Sequence, residues 1–144
     1  MSFKSKILLF FQFLCFGYFA FFQNLLANGI FILVQFLGFL LCLWSIVIMG
    51  VGNFNAQPEV KRGARLVKIG PYSVIRNPMY TGLILFFGAG LASHFNWPGV
   101  LALLALLLIF ILKVLDEERF LTERFGKTYL DYKDSTFRMI PYLF

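Results

Sequence analysis

The stretch Leu66-Val-Lys-Ile-Gly-Pro-Tyr-Ser-Val-Ile-Arg-Asn-Pro-Met-Tyr-Thr-Gly82 divides the chain into two blocks of membrane-type sequence. It contains Gly70-Pro71 and Asn77-Pro78. Both pairs are turn signals, because the residue before a proline is driven out of the helical region. The segment therefore does not continue either flanking helix. It also concentrates Tyr72, Arg76, Asn77 and Tyr80 in a short span. Irregular polar backbone beside a bilayer survives only where protein shields it or where it lines a cavity. The segment reads as a site rather than as a plain connection.

Outward from it, the chain becomes apolar. Residues 7–58 contain no Asp, Glu, Lys or Arg, and neither do residues 77–112. Each run exceeds the roughly 20 apolar residues that cross a bilayer. Of the 144 residues, 60% are hydrophobic and only 14% are charged, where a soluble domain averages about a quarter charged. The composition predicts an all-α integral membrane protein. A signal peptide is disfavoured, because the first apolar run is long, lacks a small-residue cleavage site and is followed by a second span.

Four spans are expected, at about 7–27, 30–50, 79–94 and 98–115. Asn28-Gly29 would close spans one and two into a helical hairpin over 7–50. Residues 51–78 form a loop, 79–115 a second hairpin turning at Asn96-Trp97-Pro98-Gly99, and 116–144 a tail. Over 114–133 apolar residues recur at helical spacing with charges between them, and Gly126 is the break point. This predicts an amphipathic C-terminal helix, partly folded onto the membrane surface.

All 13 Lys and Arg lie before span one, in the central loop, or from the end of span four onward. The turns at 28–29 and 95–99 carry none. The positive-inside rule then predicts a multi-pass protein with both termini and the 51–78 loop in the cytoplasm. The net charge of +6 suits anionic membrane lipids on that side. Nucleic acid is not an expected partner, since the charges hug membrane ends and form no recognition module.

Candidate chemistry sits at this charged end. There is no metal-ligand set. His94 is the only histidine and falls at the opposite end, so nucleophile sets built on histidine are disfavoured. Cys15 and Cys42 lie in apolar helices and read as buried free thiols. What remains is Gln57, Arg65, Tyr72, Arg76, Asn77 and Tyr80 from the central segment, with Lys113, Asp116, Glu117 and Glu118 from the end of span four. Lys113 and Glu117 share one helix face, but Lys before Glu is the poorer order for a helix pair. Charge this close to hydrocarbon is costly and often functional.

Gly70-Pro71-Tyr72 followed by Arg76-Asn77-Pro78-Met79-Tyr80-x-Gly82 resembles the isoprenylcysteine carboxyl methyltransferase family and its phospholipid-methyltransferase-like relatives. The second half of the signature is Glu117-Glu118-x-x-Leu121, then Phe125-Gly126-x-x-Tyr129-x-x-Tyr132, then Arg138-x-Ile140-Pro141. The resemblance covers about 57–141. It implies an integral membrane enzyme that uses S-adenosylmethionine to methylate a lipophilic acceptor, such as the carboxylate of a prenylated cysteine or, in distant relatives, a lipid head group. Carried over by motif position, Gln57, Leu66, Val67, Tyr72, Asn77, Pro78, Met79 and Tyr80 would line the cofactor pocket. Glu117 would bind the cofactor with Glu118 beside it, and Lys113 would meet the acceptor carboxylate with Arg76 as a second candidate catalytic residue. Asn77 stands where many members have His. Lys113 stands where the isoprenylcysteine enzymes have Arg, and keeps the charge without the two-pronged carboxylate grip. A lipid-amine N-methyltransferase and a non-catalytic scaffold of the same fold are the competing readings.

Such chemistry fits the residues available. A sulfonium methyl donor is already activated and a carboxylate acceptor is already anionic. The protein must chiefly align the two, and orientation is worth up to about 7–11 kcal/mol.

Overall fold

The computed structural model describes residues 3–50 and 65–142. Five helices run in order: α1 Phe3–Phe21, α2 Phe31–Met49, α3 Pro78–Ser93, α4 Trp97–Phe125 and α5 Lys127–Asp134. A short 3-10 turn spans Gly70–Ser73. Among the described residues there is no strand, only one parallel bridge between Ile75 and Phe137. The protein is an all-α integral membrane protein.

α1, α2 and α4 are long and apolar enough to cross a membrane. α3 has 16 residues, about 24 Å, against a hydrocarbon thickness of about 30 Å. α4 has 29 residues, about 44 Å. Its charged end therefore extends well past the apolar part, and the expected boundary near residue 115 is not a break in the helix. The break comes at Gly126, whose φ of 52° leaves the helical region and starts α5 on a new course.

The caps explain where α3 and α4 begin. Pro78 and Pro98 each sit in a first turn, where the missing N–H is not needed. Asn96 caps α4, its Oδ1 accepting from the Gly99 N–H at 2.7 Å. That same Oδ1 accepts from the Tyr18 hydroxyl, and Asn96 Nδ2 donates to Gln23 Oε1. These bonds tie α1 and its exit to the turn between α3 and α4. His94 joins them, contacting the Leu26 carbonyl at 3.2 Å.

The helical hairpin expected over 7–50 is a connection and not a packed pair. α2 lies against α3, and α1 lies against α4. Small residues decide the first pairing. A Cβ at Gly82 would come 2.7 Å from the Gly38 carbonyl oxygen and 2.6 Å from Cys42 Sγ, so these helices approach backbone to backbone. Ser5, Leu8, Gln12, Cys15 and Phe19 form the buried seam of α1, which decides the second. Phe19 and Phe16 of α1 also pack their rings on Phe87 of α3. Gly82→Val is expected to force α2 from α3 and cost about 1–3 kcal/mol. A lowered thermal midpoint in detergent checks this, and an unchanged one would mean the helices slide apart freely.

Candidate functional site at the charged end

The central segment, the end of α4 and the tail converge here. The 3-10 turn buries Pro71 and Tyr72 under α2. The Tyr72 hydroxyl donates to the Ser45 carbonyl at 3.4 Å. The tail returns to the same segment. Arg76 N–H donates to the Phe137 carbonyl at 2.8 Å, and Phe137 N–H to the Val74 carbonyl at 2.9 Å. Asn77 donates to the Arg138 carbonyl from both its backbone N–H, at 3.2 Å, and its side-chain amide, at 3.0 Å. The Thr81 hydroxyl donates to the Met139 carbonyl and the Tyr132 hydroxyl to the Tyr72 carbonyl. Tyr129, Tyr132 and Met139 are buried. The tail thus folds against the central segment, where its tyrosine and carbonyl groups find partners.

At the centre stands Glu118. Its carboxylate accepts from Arg138 Nε at 3.0 Å and Nη2 at 2.9 Å, and from Arg76 Nε at 3.2 Å, with Lys133 Nζ at 3.7 Å. Arg76 also donates to the Lys133 and Thr136 carbonyls and the Thr136 hydroxyl. One carboxylate therefore gathers three cations from the central segment and the tail. Both Arg76 and Glu118, expected at the acceptor and the cofactor, are committed to this brace.

Glu117 differs sharply from its neighbour. It is half-buried and takes part in no ion pair among the described residues. Burial, and next the nearby charge of Glu117, push the Tyr72 phenol well above its usual range. Burial also raises Tyr132, to about 12, against the opposing charge of Arg76. The charge of Glu117 thus reaches the buried Tyr72 ring.

The other expected residues lie along the central segment, α3 and α4. Asn77 and Pro78 are buried at the start of α3. The Met79 carbonyl accepts from Cys42 Sγ on α2. Tyr80 stacks on Phe110 with centroids 4.7 Å apart. Lys113 is 1% exposed, and its Nζ lies 5.9 Å from the Tyr80 ring centroid. Leu66 and Val67 are half-buried in irregular backbone. Gln57, with most of the expected loop, lies outside the described residues. Sequence reasoning gave no role to Thr81 or Thr136, since a threonine that bonds a distant carbonyl carries no local signal. Gln12 also went unassigned, although a lone amide on a helical seam of apolar residues was a readable sign.

No curated protein matches the chain. Residues 24–128 match the family model described as phospholipid methyltransferase. The match takes in the first motif block and continues through Glu117-Glu118 and Phe125-Gly126, leaving α1 and most of the tail outside. It spans well over half of the chain, which therefore belongs to the phospholipid methyltransferase family, in the same group of integral membrane methyltransferases as the isoprenylcysteine enzymes it resembles.

Proposed function

We propose that the protein transfers the methyl group of S-adenosylmethionine to a lipophilic acceptor at the cytoplasmic face of its membrane, and that the acceptor is the carboxylate of a prenylated cysteine or a close analogue. The supporting observation is the contrast between adjacent glutamates. Glu118 is matched by three cations, whereas Glu117 takes part in no ion pair among the described residues and has only the charge of Lys113, one turn away, to offset it. A half-buried carboxylate outside any ion pair is costly unless a ligand completes it. The ammonium and ribose hydroxyls of the cofactor are of the right chemistry.

Tyr72, Asn77, Pro78, Met79 and Tyr80 would hold the cofactor with Glu117, and Leu66 and Val67 would flank it. Gln57 joins them by motif position. When bound, the cofactor supplies an already activated methyl group. Tyr72 and Tyr80 offer aromatic faces to a cationic centre. Burial of the site excludes water and strengthens every charge interaction within it. Lys113, one turn from Glu117 toward the apolar part of α4, would draw an anionic head group whose tail lies among the helices. Arg76 and Glu118 act by holding the tail against this segment.

Calorimetric titration with S-adenosylhomocysteine tests the reading, followed by methylation of prenylcysteine analogues. Micromolar binding and carboxyl methylation are expected. Absence of binding by folded protein would leave a non-catalytic scaffold. The matched family's description favours a second reading, a lipid-amine acceptor. There the positive Lys113 would hinder a protonated head group, and the same screen against phosphatidylethanolamine decides. Lys113→Ala is expected to raise the acceptor KM about tenfold or more while changing cofactor affinity little. An unchanged KM would remove Lys113 from acceptor binding.

A further inference from the structure

The family match begins at residue 24 and leaves α1 outside it. Yet α1 sends a polar group to the proposed acceptor side of the site. Gln12 lies midway along the buried seam and is 8% exposed. Its Oε1 accepts a hydrogen bond from Lys113 Nζ at 2.7 Å. Three helices meet at that ammonium: α1 through Gln12, α3 through the Tyr80 ring, and α4 through Lys113 itself.

Packing alone does not account for Gln12. The seam around it is Ser5, Leu8, Cys15 and Phe19, and a leucine there would hold α1 on α4 without the cost of burying an amide. A neutral amide also leaves the charge of a lysine intact, unlike a carboxylate. What it does is fix one N–H direction of a long, flexible side chain. Lysine meets a carboxylate as a point charge with no planar fork of its own. Some second group must set where the ammonium points.

We infer that Gln12 is a positioning residue that aims Lys113 at the anionic head group of the acceptor, so that α1 takes part in acceptor selection. This rests on the carboxylate-acceptor reading given above. Gln12→Leu removes the bond and keeps an apolar seam. Gln12→Glu keeps a hydrogen-bond acceptor and adds a negative charge that competes with the substrate carboxylate.

The test uses the full chain in detergent micelles, with an S-farnesylated N-acetylcysteine as carboxylate acceptor and phosphatidylethanolamine as amine acceptor. Gln12→Leu is expected to raise KM for the farnesylcysteine about tenfold, the factor that one hydrogen bond to a charged group represents. Its kcat and its affinity for S-adenosylhomocysteine stay within about twofold of the parent, while its thermal midpoint falls modestly because a buried ammonium loses one hydrogen-bond acceptor. Gln12→Glu raises the same KM further and does not slow any reaction with the amine. An unchanged KM in Gln12→Leu, beside a raised KM in Lys113→Ala, overturns the role of Gln12 and leaves the acceptor reading standing. A joint loss of thermal midpoint, kcat and cofactor affinity shows a merely structural glutamine and also overturns it. A parent protein that methylates only phosphatidylethanolamine overturns the acceptor reading, and the role of Gln12 falls with it.

Discussion

Glu117→Ala is expected to abolish binding of S-adenosylhomocysteine while leaving the protein as stable as before. Both halves of this outcome follow from the same observation. Glu117 takes part in no ion pair among the described residues, so its removal breaks none of them. Relief of the desolvation cost of a half-buried carboxylate offsets the loss of a compensating charge for Lys113, and the thermal midpoint should stay close to the parent's. The loss in affinity should be about a hundredfold or more, roughly 3 kcal/mol, as for other buried charged contacts between a protein and its ligand. Calorimetry with the purified variant measures it. Affinity equal to the parent's would move the cofactor's cationic group to another carboxylate.

Glu118→Ala should behave in the opposite way. Its side chain and that of Arg76 are each only 7% exposed, and breaking such a pair leaves a buried cation without compensation. The expected cost is about 3 kcal/mol or more. Arg138 adds a two-pronged contact at 3.0 and 2.9 Å, and the more exposed Lys133 at 3.7 Å adds least, because water screens it. The visible consequences are a lowered thermal midpoint and early proteolysis of the chain after Gly126. Adding Arg76→Met should restore part of the loss, since it removes the stranded charge. If Glu118→Ala melted with the parent, the backbone bridge at Ile75 and Phe137 would be holding the tail unaided. Two adjacent acids of one motif thus separate cleanly, one by affinity and the other by stability.

Much of this was legible in the sequence. Apolar runs without charge gave the helical membrane class, and the Asn-Pro and Asn-Trp-Pro-Gly signals set the starts of α3 and α4 almost to the residue. The motif blocks gave the family. Helix pairing was not legible. A turn at Asn28-Gly29 suggests that neighbours in sequence pack together, yet Gly38 and Gly82 bring α2 to α3 while the Ser5-to-Phe19 seam brings α1 to α4. Those choices depend on shape complementarity between distant segments, which periodicity within one helix does not encode. The partner of the tail was not legible for a related reason. Its apolar spacing predicts an amphipathic helix, and the hydroxyls of Tyr132 and Thr81 and the carbonyls of residues 137–139 are in addition satisfied by pairing between the tail and the central segment. Nothing in the spacing of residues 114–133 announces that pairing. Glu117 and Glu118 are adjacent and chemically identical in the sequence, and only the arrangement of Arg76, Lys133 and Arg138 tells them apart.

The bridge between residues 74–77 and 137–138 also fixes an order of events during synthesis. Chains emerge from the ribosome at about 5–20 residues per second, N-terminal parts first. Every apolar helix, from α1 to the membrane part of α4, is therefore made before the strip that secures the central segment. Until residues 137–139 emerge, Arg76 and Asn77 lack the carbonyls that hold them. The newborn protein enters its membrane as a set of helices with an unfinished centre. The central segment is secured only once residues 137–139 are in place.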